Sequence, residues 1–269
     1  MQSVEFVRAW RQKAREWQER LQEPAVLVDA EKLAQTLAEG RPLTEAVPPE
    51  VPGDRLAAVL ADVAQLLAGY RPAARPEVDR LLGALAGADR ADQDALAAAA
   101  LSGLVVPVEE WARQHGVPAD LLLPLVNLAL QPFMARYARA LGRMVSWSAW
   151  RHNYCPVCGR EPDVARIDPD NLRYLHCGLC DTQWQTHRLS CVWCETDDAK
   201  KLQVLTVADL EPFRLDVCDA CGGYIKTLDQ RHGGLWALPS VDLFVEDART
   251  RKLDLVAAEQ GYRRGGRVQ

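Results

Sequence analysis

The sequence predicts a multidomain α + small β fold, with an N-terminal all-α domain followed by two compact modules in tandem. Three observations carry that reading. Over residues 1–150, apolar side chains recur every three or four positions between Pro and Gly punctuation, which is the helical period. After Trp150 the Ala/Leu texture gives way to Cys, Gly, Trp and β-branched residues in runs too short for helices. All eight cysteines lie between Cys155 and Cys221, so one stretch holds the chain's reactive sulfur. At roughly 150 residues per domain, 269 residues suggest about two domains. The expected division is 1–150, an all-α domain; 151–189 and 190–238, two small modules; and 239–269, a C-terminal helix and basic tail.

Val4, Val7, Trp10, Ala14, Trp17 and Leu21 form one amphipathic stripe, and Pro24 closes it. A second helix is expected after Pro52, with Asp54 capping its first turn and Leu56, Val59, Leu60, Val63, Leu66 and Leu67 on its apolar side. Shorter helices are expected over 77–85, 92–104 and 107–115, the last starting at Pro107 and stopping at Gly116. The longest expected helix spans about 120–147, with a kink at Pro132. Beyond Trp150, 172–176, 183–189 and 202–207 read as strands, 241–259 as an amphipathic helix, and 261–269 as a disordered basic tail.

The formal charge of −5 and pI of 5.6 argue against a broad phosphate-binding surface. Glu5 and Arg8 interrupt the first ten residues, so no signal peptide is expected. The longest uncharged run, 121–135, contains Pro124, Asn127, Gln131 and Pro132 and is too short and polar to span a bilayer. The expectation is a cytoplasmic protein without stable membrane insertion.

In a reducing cytoplasm, eight cysteines need an occupation other than disulfides. They fall into four C-x-x-C pairs: Cys155/Cys158, Cys177/Cys180, Cys191/Cys194 and Cys218/Cys221. Such a turn holds two thiolates on one side of a tight loop, and two turns complete a tetrahedral four-sulfur site. Gly159 and Gly222 follow the first and fourth pairs and suit a left-handed turn, whereas Asp181 and Glu195 follow the second and third. Sequential pairing leaves 18 residues between Cys158 and Cys177 and 23 between Cys194 and Cys218, near the spacing of metal ribbons. Cross-bracing or nesting would require less favourable intervals. A closed four-thiolate site leaves no coordination position for substrate, so catalysis at the metal is not expected. Iron and zinc both accept tetrahedral thiolate.

His176 and His187 stand beside the pairs, yet eight cysteines already fill two sites, so hydrogen bonding or packing is expected of them. Trp184, Trp193 and Trp236 are expected to pack in a small metal-centred core. Asp168, Asp170, Asp197 and Asp198 keep the company of Pro169, Asn171 and Thr196, which marks turns. Arg263, Arg264 and Arg267 are expected to be solvated. No P-loop, dinucleotide fingerprint or nucleophile elbow is present.

The segments "NYCPVCGREP" (153–162), "RYLHCGLCDTQW" (173–184), "CVWC" (191–194) and "DVCDACGGYIKTLD" (216–229), with "EQGYRRGG" (259–266) near the end, resemble the FdhE family. That family comprises accessory proteins needed for formation of active formate dehydrogenase. The resemblance implies a helical domain plus two rubredoxin-like modules, with iron, or alternatively zinc, in two four-cysteine sites. It implies a non-enzymatic role in the cytoplasm, where the partner is the catalytic subunit of respiratory formate dehydrogenases before their export. Oligomeric state does not follow from it. Two other classes are weighed: a rubredoxin-like electron carrier, and a zinc ribbon binding nucleic acid. The latter is opposed by charge, since residues 155–236 hold 9 Lys/Arg against 13 Asp/Glu.

Overall fold

The structure is a computed structural model that describes residues 3–237 and 241–265. In chain order its helices are α1 (Val4–Arg20), α2 (Ala30–Ala38), α3 (Leu43–Ala46), α4 (Gly53–Tyr70), α5 (Arg75–Gly87), α6 (Arg90–Ser102), α7 (Val105–Gln114) and α8 (Ala119–Gly142). The strands follow as β1 (Val164–Ile167), β2 (Arg173–His176), β3 (Gln183–Thr186), β4 (Leu202–Thr206), β5 (Phe213–Cys218) and β6 (Gly223–Asp229). Helices α9 (Leu243–Arg249) and α10 (Arg251–Glu259) and the short strand β7 (Arg263–Arg264) complete the order. By contact density the chain divides into two compact units, residues up to 25 with 49–140, and 26–48 with 141 onward. Among the described residues, no single helix is long and apolar enough to cross a membrane.

The helical unit is built on matched apolar faces. On α1, Phe6, Val7, Trp10 and Ala14 are buried, and on α4 so are Leu56, Val59, Leu60, Val63 and Leu67. The buried Trp10 indole donates to Gln131 Oε1 at 2.9 Å, which satisfies the one polar atom of that side chain. Asp54 does not cap α4. The N–H of Gly53 donates to Asp94 Oδ1 on α6 at 3.0 Å, while Asp54 pairs with Arg90 at 2.9 Å. A Cβ at position 53 would lie 2.4 Å from the backbone of Asp94, so α4 and α6 meet this closely only with glycine there. Pro107 sits inside the first turn of α7 rather than opening it, where its missing N–H costs nothing. Helix α8 runs through both Pro124 and Pro132 and ends at Gly142, short of the expected 147.

The sheet unit repeats one pattern twice: thiol turn, strand, strand, thiol turn, strand. β1, β2 and β3 form one antiparallel meander, and β4, β5 and β6 form another. β1 pairs with β6 in parallel, Val164 opposite Lys226 and Ile167 opposite Asp229, so the meanders join as one sheet in the order β3-β2-β1-β6-β5-β4. Beside β1, the strand β7 pairs with the start of β6 at Gly223 and Tyr224. One face of this sheet packs Val164, Phe213, Leu215, Val217, Tyr224 and Leu228 against Leu243, Leu253 and Ala257 of α9 and α10.

Three expectations are corrected here. Residues 26–48 contain α2 and α3, which the periodicity reading missed; Asp29 caps α2 by accepting from Lys32 N at 2.8 Å. The expected single helix over 241–259 is broken at Thr250, whose hydroxyl bonds back to Glu246 O at 2.8 Å. The basic tail is not solvated at Arg264: its guanidinium grips Asp247 at 2.8 and 3.0 Å and donates to Asp163 O at 2.6 Å. Arg267 and the rest of 266–269, like the expected boundary at 238/239, lie outside the described residues.

Candidate metal centres

Each thiol pair occupies a turn of the same build. The N–H of the residue after the second cysteine returns to the carbonyl of the first: Gly159 to Cys155 at 2.9 Å, Asp181 to Cys177 at 3.0 Å, Glu195 to Cys191 at 3.1 Å, and Gly222 to Cys218 at 2.8 Å. All four returning residues are left-handed, with φ of 73°, 62°, 60° and 68°. The closure therefore requires this conformation whatever the side chain. At the two non-glycine positions the side chains are held: Asp181 Oδ1 lies 3.0 Å from His176 Nε2, and Glu195 Oε1 accepts from Asn153 Nδ2 at 3.2 Å. In three of the turns the first cysteine N–H also pairs across the loop, Cys155 to Arg160 O, Cys177 to Thr182 O and Cys191 to Thr196 O.

The meanders bring these turns together in sequence order. Cys155, Cys158, Cys177 and Cys180 form one group and Cys191, Cys194, Cys218 and Cys221 the other, with all sulfurs of a group within 4.8 Å. In the first group Sγ atoms approach to 3.5 Å (155–180 and 158–177) and 3.7 Å (158–180); in the second to 3.7 Å (191–221) and 3.8 Å (194–218). A disulfide requires about 2.05 Å, whereas a tetrahedron with metal–sulfur bonds of about 2.3 Å has edges of about 3.8 Å. The donor set and its spacing thus fit a four-coordinate metal ion, which would crosslink four points of the chain in each group.

Electrostatics agree with the geometry. Burial pushes the Cys155 and Cys180 thiols up, while hydrogen bonds from the neighbouring thiols pull Cys158 down. In the second group burial raises Cys191 and Cys221; Cys194 is lowered despite some burial, because the Thr196 N–H points at its sulfur. Four thiolates held this close repel one another, so a cation is needed to hold all four ionised. Backbone donors complete the shell, such as Trp193 N at 3.4 Å from Cys191 Sγ, and Thr182 Oγ1 stands 3.1 Å from Cys180 Sγ.

The other candidates resolve into support. His176 is buried and engaged with Asp181, and His187 is exposed; neither belongs to a sulfur group. Trp184 is buried and donates to His152 O at 2.8 Å. Trp193 packs against the second group and donates to Tyr224 O, and Trp236 meets Phe213 edge-on at 5.2 Å. Asp168 and Asp198 accept backbone N–H bonds within their own turns. Sequence reasoning missed the part played by 40–44. The first-turn N–H groups of α3, Leu43 and Thr44, donate to Pro156 O and Val157 O at 2.9 and 3.0 Å, and Tyr154 OH donates to Gly40 O at 2.6 Å. The Pro42 that precedes α3, next to a thiol turn far off in sequence, gave no local signal for that contact.

The family description "FdhE, central domain" matches residues 154–188, which contain the whole first sulfur group. A crystal structure of the FdhE protein from Pseudomonas aeruginosa superposes over 97% of this chain and 86% of that one, at a TM-score of 0.65 and 25% identity. The chain is thus similar to FdhE proteins in the sequence of its first sulfur group and in fold over nearly its whole length. Among curated relatives, the Protein FdhE homolog of Aquifex aeolicus is 33% identical over 153 residues, 55% of this chain and 52% of the relative. Protein FdhE of Escherichia coli O1:K1 is 32% identical over 146 residues, 52% of this chain and 45% of the relative. The matched stretch thus spans about half the length of these FdhE relatives.

Proposed function

We propose that this chain is an FdhE-family protein, a non-enzymatic accessory factor for the formation of active formate dehydrogenase. In this reading it binds the catalytic subunit in the cytoplasm through a surface stiffened by two four-cysteine metal sites. The eight cysteines are the ligands, and iron is the favoured ion with zinc as the alternative. The modules 151–189 and 190–238 are each conditional on their ion, and 1–150 serves to hold or present the client. The observation that carries this reading is the pair of four-sulfur groups on one shared sheet, within a chain that follows an FdhE structure over almost its whole length. An ion at each group replaces the interior that such short strands lack.

The test uses cells lacking the endogenous gene. Cys155→Ser or Cys218→Ser is expected to lower bound metal and to abolish formate-dependent dye reduction by the target enzyme. A metal-free variant that still supports full activity would contradict the scaffold role. Zinc-substituted protein that folds but fails in the same assay would instead favour the electron-carrier reading.

A further inference from the structure

The face of the sheet opposite α9 and α10 carries a second feature. β5 alternates: Phe213, Leu215 and Val217 enter the apolar cluster, while Arg214, Asp216 and Cys218 point the other way. There they floor a cavity of about 340 Å³, within the roughly 300–1,000 Å³ usual for small-molecule sites. Its apolar wall includes Leu189, Val192, Trp193, Leu202, Val204 and Ile225. Its polar wall carries three arginines, Arg173, Arg188 and Arg214, against two carboxylates, Asp197 and Asp216. Arg173, only 3% exposed, donates from Nη1 to Ser190 O at 2.8 Å and faces Asp216 at 3.4 Å, leaving its buried Nε without a partner. Arg188 lines the same cavity, and its buried Nε is also unpartnered.

Charge pairing locates the excess. Arg214 is held by Asp216 at 3.0 Å and Asp229 at 2.9 Å, and Arg231 shares Asp229. Arg188 has no ion pair among the described residues. Burial first, then Arg214, Arg173 and Arg231 nearby, lowers its tendency to hold a proton, with Asp216 opposing. A buried guanidinium donor without an acceptor is costly. A planar oxyanion satisfies it in the geometry guanidinium favours.

We propose that this cavity binds an organic oxyanion, a carboxylate or phosphate on an apolar body, with Arg188 and the free Nε of Arg173 taking the charged head. The apolar wall takes the body, which separates such a ligand from simple inorganic anions. The inference stands independently of the maturation role.

Calorimetric titration of the metal-loaded full chain with phenylphosphate, 3-phenylpropionate and inorganic phosphate tests it. At least one of the two aryl anions is expected to bind about tenfold more tightly than inorganic phosphate, and more weakly as salt rises. Which of the two binds assigns the head group. Arg188→Gln should lose about tenfold or more of that affinity, Arg188→Lys should recover part of it, and Arg113→Gln, on helix α7 and outside the cavity lining, should leave it unchanged. Circular dichroism and metal content establish that each variant is folded. Equal affinity in Arg188→Gln, or inorganic phosphate binding as tightly as both aryl anions, would overturn the proposal. So would unchanged anion binding together with loss of metal from the second centre, since Arg188 would then serve only to neutralise the thiolate cluster.

Discussion

The two sulfur groups share one topology but not one environment. In the first, Cys155 and Cys177 are fully buried, Cys180 nearly so and Cys158 half-buried, and strands β1 to β3 present mostly buried positions. In the second, Cys194 is exposed, and β4 at the sheet edge is exposed or half-buried throughout. The first group is further enclosed by Pro42 to Thr44, where the second has the cavity beside Cys191 and Cys218. The difference teaches that the repeated pattern fixes the geometry of the sulfurs, whereas its neighbours set access to any ion they would hold. An enclosed centre is shielded from solvent and chelators; an open one can meet them or another molecule.

The largest expected effect is on ligand removal. Cys155→Ser should empty the first centre and unfold its module, because an apparent ~10–16 kcal/mol of metal binding supports such small domains. Cys194→Ser should retain a weakly held ion, since water can reach that position, and should lower thermal stability less. Metal content and thermal melts check both, and equal losses would erase the distinction. Next in size is chelation. On titration with a chelator, Cys191, Cys194, Cys218 and Cys221 should become alkylatable before the other four, read by peptide mapping.

Smaller again are the left-handed turns. Gly159→Ala places a Cβ at φ 73° and 3.0 Å from Pro42 Cγ, and should cost about 1–2 kcal/mol. Glu195→Gly removes the strain of a non-glycine residue at φ 60° but loses the Asn153 contact, so its gain should stay below about 1 kcal/mol. Denaturant melts of the metal-loaded protein measure both. The smallest effect is a pH dependence in the second meander. Asp229 is held below the usual carboxylate value, chiefly by its hydrogen bond from Arg231, with burial opposing and Arg214 assisting. A depressed folded-state value contributes stability above about pH 4 that is lost as pH falls through the folded value. The stability gap between Asp229→Asn and wild type should therefore close below about pH 4.

The fold class and the long helices were legible because their cause is local: an apolar stripe every three or four residues, as in α1 and α4. The sulfur groups were legible because C-x-x-C spacing and loop length are both one-dimensional. β6 was not. All seven of its residues are buried, so no alternation marks it, and Lys226 reads as a surface residue. Its ammonium is instead held by Asp247 at 2.6 Å and Asp254 at 2.8 Å, from helices whose positions the sequence does not reveal. The same holds for α3, whose four residues are fixed by the carbonyls of Pro156 and Val157. The left-handed turns at Asp181 and Glu195 were equally hidden, since their residue types favour other conformations and only loop closure imposes them.

The most direct test is metal stoichiometry with X-ray absorption on protein prepared without oxygen. Two transition-metal ions per chain, each with four sulfur neighbours at about 2.3 Å, is the expected result. Protein that is folded but holds no stoichiometric metal, or whose native thiols are joined to one another, would contradict the account.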